Sequence, residues 1–501
     1  MKWSFDIASW RIVCPIAIIL SSLSLLCGCE EQQQGVELLD ISKKALSDST
    51  FLYYDNYSDY PEELATLPIG LFDSSLDGFE VVEAFLTIDQ FDNITGAFHP
   101  DNIPDFGGEN FQFLADLANG SYVDYVGGSN TSFLKEHLMT NLFFMMGNSY
   151  YTLSVDDFKT GHKERVKAVV NLTNTADYLI GDEFENFTQQ SGSGLISIGL
   201  MSSGINSLFE SCADMPKVCV GILSSGDDIT IREYESAINQ RASQRGSSVD
   251  IKILSQRAIG LEEAIMGEYD YIAPLTTYIR SNYKGPDMVD ELEFVDDLTL
   301  VKYNFDIQNN ALLTSKGENF YYSVQLNSVE NYVRYHVVSM VEHHRRSGSK
   351  IPISHLLLSD YKLSSVKDLI SKVLKELYNY KQEGTYLYRG TIVENVVLID
   401  PIECAAKECY VKLRANKTLA LRAVRSELLT YISVPVTSLQ GASYTNDGLF
   451  TDEYRISRQA GKYEITTKII PFSTRFVNQK QLNYLGTNFP ISYSLVRNSL
   501  Y

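Results

Sequence analysis

The sequence predicts an α/β protein built on parallel sheets, arranged as two large lobes with a small β-rich extension at the C-terminus. Three observations carry that expectation. Short apolar runs repeatedly end in a polar knot and lead into an apolar-periodic segment of helix length, the pattern of βαβ units. A chain of 501 residues is long for one domain and suits two lobes plus an appendage. After about residue 425 the texture changes to β-branched residues between turns, as in "YISVPVT", "DEYRISR" and "GKYEITTKIIPF".

The N-terminus reads as a secretory signal over residues 1–28. Lys2 and Arg11 give it a basic start, and "IVCPIAIILSSLSLLCGC" then runs apolar and small up to Cys29. The run is long enough for a short membrane span, so a retained anchor helix is the alternative. The ending "LLCGC", followed at once by the polar "EEQQQG", resembles the bacterial lipobox, in which the chain is cut before a cysteine that carries lipid. Cys29 is that residue here, and the expectation is an exported lipoprotein held on a bacterial membrane, with two or more acyl chains for stable anchoring. Residues 29–66 are polar and read as a tether.

Composition narrows the rest. With 44% hydrophobic residues the chain has ample material for a core, and a formal net charge of −21 argues against nucleic acid as a partner. Cys212, Cys219, Cys404 and Cys409 lack the C-x-x-C and His spacing of a zinc site, so no metal is expected, and each reads as a small buried thiol.

Taken in order, "LPIGLF" (67–72) enters "DSSLDG" and the helical "FEVVEAFLTI". "ERVKAVV" enters the knot Asn171-Leu172-Thr173-Asn174-Thr175. "KVCVGIL" (217–223) enters "SSGDD" and "ITIREYESAINQRAS", with "VDIKILS" (249–255) as the next strand. The stretch 280–328 reads as an irregular insertion. Val329, Val333, Val337 and Val341 then repeat every fourth residue, a core-facing helix stripe. The "EHHRR" at its end needs no ligand for His343 and His344, since cations at a helix C-terminus are favoured by the dipole. "ISHLLL" (353–358) enters "SDYKLSS" and "VKDLISKVLKELYNY", where Ser365 and Asp368 have capping-box spacing. "NVVLID" (395–400) enters "PIECAAKECYVKL".

Polar clusters fall where strands end: Asp73-Ser74, Thr173-Asn174-Thr175 and Asp360-Tyr361-Lys362, with Asn119 and Tyr122 in the loop of "FLADLANGSYVDY". Singly, each is explained by helix capping. Together, at the carboxyl ends where parallel sheets bind ligands, they describe a cleft that grips a small polar molecule.

The same residues carry a resemblance. "LPIGLFDSSLDGFEVVEAF" resembles the opening of glutamate racemase, usually strand then Phe-Asp-Ser-Gly-x-Gly-Gly. "FLADLANGSYVDY" is similar to that family's Asp-x-Ala-x-x-Pro-Tyr-Gly, and "AVVNLTNTA" to its Ala-Cys-Asn-Thr-Ala. "HLLLSDYKLS" falls where Leu-Gly-Cys-Thr-His-Phe-Pro is usual, and "VLIDP" matches the returning strand near the end. The order is collinear over roughly 67–415, and the likeness is closest to a longer, exported-looking branch. It implies the aspartate/glutamate racemase fold: a first lobe of 67–193 completed by 393–425, a second lobe of 194–392 inserted into it, a cleft between them, and 426–501 added at the end. It also implies chemistry without a cofactor, in which one cysteine removes the α-proton and a second delivers a proton from the opposite face.

The departures decide the functional expectation. The cysteine positions hold Thr173 and Asp360, and threonine has no usable acid–base range near neutral pH. Tyr361 and Lys362 replace the family's Thr-His, Ser75 and Asp77 replace two glycines of the opening turn and leave Gly78, Ser121 and Val123 replace Pro and Gly of the loop, and Ser202 stands for a glutamate. Asp73, Ser74, Tyr122, Asn174 and Thr175 keep the gripping positions, with Tyr361 and Lys362 beside them. The expectation is a racemase-inactive protein that holds an amino acid, a wall fragment or a protein partner in the former active cleft. The alternatives are an enzyme using Asp360 as a single base with Lys362 as its partner, and a structural protein whose cleft is vestigial.

Overall fold

Strands buried on both faces must lie inside a covered sheet, and the first apolar run, Ile69–Asp73, is buried at every position. The computed structural model describes residues 37–61, 63–244, 249–291, 296–319, 321–420, 425–437 and 439–499. The signal segment and Cys29 therefore lie outside the described residues. In chain order the main elements are β1 (Ile69–Asp73), α1 (Phe79–Thr87), β2 (Phe111–Ala115), α2 (Thr131–Met146), β3 (Ala168–Asn171), α3 (Asn174–Ser191), β4 (Ile196–Gly199) and α4 (Leu200–Ser211). There follow β5 (Lys217–Ser224), α5 (Asp228–Gln244), β6 (Asp250–Arg257), α6 (Val329–Arg346), β7 (Ile353–Leu358), α7 (Lys367–Asn379), β8 (Ile392–Ile399) and α8 (Pro401–Ala415). The chain closes with β9 (Leu428–Pro435), β10 (Thr467–Pro471), α9 (Gln479–Asn488) and α10 (Pro490–Ser499).

The fold is α/β, with two main sheets. The first runs β10–β9–β2–β1–β3–β4 and the second β8–β7–β5–β6. Every pairing in them is parallel except that of β10 with β9. Alternation along β1 sends Ile69 and Leu71 to one face, with Phe79 and Phe85 of α1, while Phe72 packs on the other with Leu142 of α2 and Phe184 of α3. In the second sheet Leu356 and Leu358 meet Val333, Val337 and Val341, the predicted stripe of α6, and Leu357 faces Met201 and Ile205 of α4.

Three boundaries differ from those expected. The returning strand, β8, does not complete the first lobe. It lies beside β7 in register Leu356↔Leu398, since the connection through α7 is short and consecutive parallel strands usually end as neighbours. The chain comes back instead through α8, which packs on β4 and α4. Strand β4, expected in the second lobe, pairs with β3 in the first. The place of the returning strand is taken from the C-terminal stretch: β9 pairs with β2, Leu428↔Phe111, and covers an edge whose Phe111 and Phe113 are buried. Residues 426–501 thus supply two strands to the first sheet, and more helix than strand around them. Within the expected insertion, Leu312–Lys316 and Tyr321–Leu326 form an antiparallel hairpin.

Local expectations also shift. Ser365 does not open a capping box; a 3-10 turn, Tyr361–Val366, precedes α7, and Ser365 donates to the carbonyl of Lys362 at 2.7 Å. Cys212, Cys219 and Cys409 are buried thiols, as expected, whereas Cys404 is only partly buried. Among the described residues no helix is long and apolar enough to cross a membrane.

Candidate functional site at the junction of the lobes

The carboxyl ends of both sheets meet at the junction, and polar contacts cross it. Tyr361 Oη donates to Asp73 Oδ2 at 2.9 Å, and Asn174 Nδ2 to the carbonyl of Ser359 at 2.7 Å. Tyr234 Oη on α5 donates to Asn174 Oδ1 at 3.0 Å, and Thr175 Oγ1 to Glu233 Oε2 at 3.1 Å. Asp73, Asn174 and Thr175 of the first lobe thus spend their side chains on Tyr361, Ser359, Tyr234 and Glu233 of the second. The groups read as gripping a ligand are engaged across the lobes.

Each is fixed by local geometry. Asp73 closes β1, and its Oδ1 accepts the Ser74 amide at 2.6 Å. Gly78 is required in the turn that follows, because a Cβ there would lie 2.9 Å from both Asp73 Cβ and Phe113. Thr173 sits before α3, and its amide and hydroxyl both donate to Asn171 Oδ1, at 3.1 and 3.2 Å. Asp360 caps the turn after β7 by accepting the Lys362 amide at 2.8 Å.

Electrostatics single out Lys362. Its side chain is 3% exposed, with Nζ 3.1 Å from Asp77 Oδ2 and 3.9 Å from Glu262 Oε1. Tyr484 of α9 borders the ammonium, with its ring centre 6.0 Å away. Burial alone would favour the neutral amine, but Asp77 and Glu262 outweigh it and hold Lys362 charged. The acids around it are less well served. Burial pushes the Asp73 carboxyl up to about 6, and Glu80 and Glu262 up to about 8. Asp360 is raised by burial against the opposing pull of the Lys362 amide and ammonium.

Tyr122 and Asn119 direct their polar groups to Asp116. Tyr122 Oη donates to Asp116 Oδ2 at 2.6 Å and Asn119 Nδ2 to Asp116 Oδ1 at 2.7 Å, inside the first lobe. His137, Asn141 and Ser433 complete the set around that carboxylate. Burial would raise Asp116, but His137 and these donors hold it well below the usual carboxylate range. Ser202 donates its amide to Asp177 Oδ2 at 2.7 Å, at the start of α4.

Comparison with solved structures finds a likeness to two enzymes, one from Bacillus anthracis and one from Campylobacter jejuni subsp. jejuni. Both are glutamate racemases. The first, isoform RacE1, is 13% identical with a TM-score of 0.38, covering 73% of this chain and 87% of its own. The second is 14% identical with a TM-score of 0.35, covering 74% of this chain and 94% of its own. No family model and no curated protein matches the sequence. At values this low the chemistry of the junction has to stand on its own side chains.

Sequence reasoning missed several of those. Glu233 is 4% exposed, carries Oε1 with no hydrogen-bond partner, and is pushed up to about 7 by burial. Nothing in "ITIREYESAINQ" separates it from the other charges of an amphipathic helix. Glu262 likewise comes from a short helix beyond β6, remote in sequence from every glutamate racemase motif. Asp77 was visible, as a replaced glycine of the opening turn; its pairing with Lys362 was not.

Proposed function

We propose that this chain holds a small amine-bearing molecule of the amino-acid class at the lobe junction and does not invert it. The observation that carries the reading is the shortage of positive charge around Lys362. Asp73, Asp77, Glu80, Glu262 and Asp360 all interact with that one buried ammonium, and burial raises Asp73, Glu80 and Glu262 despite its pull. A ligand ammonium would let those carboxyls ionise, which favours its binding. Inversion makes a different demand, an acid–base group on each face of the α-carbon. At the Thr173 position the group is a hydroxyl donating to Asn171, with no titration near neutral pH. Entry of the ligand requires the Tyr361–Asp73 and Asn174–Ser359 bridges to part. Export and lipid attachment at Cys29 belong to the same proposal and rest on "LLCGC" followed by "EEQQQG".

A thermal-shift series with the tag-free mature protein tests this directly. Free D- and L-amino acids and wall peptides should raise the melting temperature, by the equivalent of ~2.7 kcal/mol at 100 times the dissociation constant. Their N-acetylated counterparts should not. Equal shifts from both sets, or none from either, would exclude recognition through the amine.

A second reading, an enzyme of altered chemistry, is favoured by two buried carboxyls at the same junction: Asp360 beside Lys362, and Glu233 with a free oxygen. Exchange of the α-proton in deuterated water separates the readings. Neither glutamate enantiomer should exchange on the first. Exchange of one enantiomer would point to Asp360 acting as a single base, and exchange with inversion of both would overturn the non-inverting reading.

A further inference from the structure

A polar cavity lies in the first lobe. It holds about 280 Å³ and is enclosed by α2 and the chain between β9 and β10, close to the lower end of the ~300–1,000 Å³ typical of ligand sites. His137 and Phe133 from α2, and Arg458 and Lys462 from the C-terminal stretch, line it.

Two of these side chains, His137 and Arg458, are buried and held in fixed positions. His137 is 7% exposed, and its Nε2 is 2.6 Å from Asp116 Oδ2, which sets the ring's orientation. Its Nδ1 makes no hydrogen bond among the described residues, while the ring lines the cavity. The Phe133 ring lies parallel to the imidazole, 7° between planes and 6.1 Å between centres, and the Arg458 guanidinium sits 4.4 Å from the Phe133 centre. Arg458 donates to the Arg455 carbonyl, Thr466 Oγ1, Asn119 Oδ1 and Tyr125 Oη. A guanidinium has five N–H groups, so one remains for an occupant.

The nearby carboxylates do not answer those donors. Asp116 already accepts from Asn119, Tyr122, His137, Asn141 and Ser433. Glu136, on the cavity wall, accepts the Gly461 amide with both oxygens, at 3.1 and 2.8 Å. Glu464 also lines the cavity and is exposed.

We propose that this cavity binds a small molecule through an oxyanion, carboxylate or phosphate, gripped by His137 and Arg458 with the exposed Lys462 adding charge. With Nε2 engaged by Asp116, the ring edge carrying Nδ1 is left for the occupant, and the planar guanidinium offers its remaining N–H to the oxyanion. The site depends on the C-terminal stretch, since Arg458 and Lys462 both come from there.

The test uses the intact chain, with inorganic phosphate, acetate and methylammonium as probes at equal ionic strength. Histidine ring signals are followed by NMR, and those of His137 are assigned by their loss in His137→Gln. Phosphate, acetate or both should move the His137 signals, and methylammonium should not. Response to acetate alone assigns a carboxylate ligand, response to phosphate alone a phosphate. Lys462→Gln, exposed and free of structural bonds that would endanger folding, should weaken the effective anion about threefold, the scale of a screened surface charge. His137 signals unmoved by either anion, moved equally by methylammonium, or titrated with unchanged affinity in both Lys462→Gln and Arg458→Lys would overturn the proposal.

Discussion

Asn174, in the first lobe, donates from its side-chain amide to the main-chain carbonyl of Ser359, in the second, at 2.7 Å. The same amide accepts from Tyr234, so both of its polar ends serve the contact between lobes. Asn174→Ala should leave the Ser359 carbonyl and the Tyr234 hydroxyl without partners. The expected loss is ~1–3 kcal/mol of unfolding free energy, measured by urea denaturation. An unchanged midpoint would mean that the two lobes are held together elsewhere.

The carboxyls around Lys362 give stability an unusual dependence on pH. Asp73 titrates at about 6 in the folded chain against an ordinary 3.8, and Glu80 and Glu262 at about 8 against 4.5. The folded state therefore binds more protons than the unfolded state between about 4 and about 8. Their contribution is complete below the unfolded values and is lost as pH rises through the folded ones. Asp116 works in the opposite sense, since its depressed value makes its contribution disappear on acidification below about 4. The melting temperature should peak near pH 4–5 and fall towards pH 8. Glu262→Gln should flatten the alkaline limb, and a stability that rises from pH 5 to 8 would refute the assignment.

Asp116→Asn removes the charge on which five side chains converge, and leaves His137 without its anion. A loss of ~3–5 kcal/mol is expected, as for a broken buried pair. A loss below ~1 kcal/mol would show that the donors find other partners.

Cys29→Ser should abolish both lipid attachment and signal cleavage if the "LLCGC" reading is right. Metabolic labelling with a tagged fatty acid should mark the parent chain alone. Equal labelling of the variant would remove the lipoprotein reading.

Much of the fold was legible because parallel strands are buried on both faces and announce themselves as apolar runs ending in polar knots, as in the runs closing at Asp73, Asn171 and Leu358. Pairing order was not, since β8 and β9 carry similar apolar patterns and only the crossover geometry decides which sheet takes each. Strand ends alone single out Asp73, Asn174 and Asp360 as candidates. What those side chains touch could not be read there. Asn174 meets Tyr234, and Lys362 meets Asp77 and Glu262, through contacts between helices that no periodicity encodes. Nor does its motif tell that the Tyr122 hydroxyl is committed to Asp116.

The parallel pairing of Leu428 with Phe111 has a consequence for how the molecule is made. Strand β2 emerges from the ribosome hundreds of residues before the strand that flanks it. Until β9 arrives, an aromatic edge stands open to any other extended chain, and closing so long a loop is slow. The first lobe therefore matures last, after the second lobe has all of its strands. Assembly begins in the middle of the sequence and ends at its termini. A chain halted before residue 428 should accumulate as an aggregation-prone intermediate with one finished lobe.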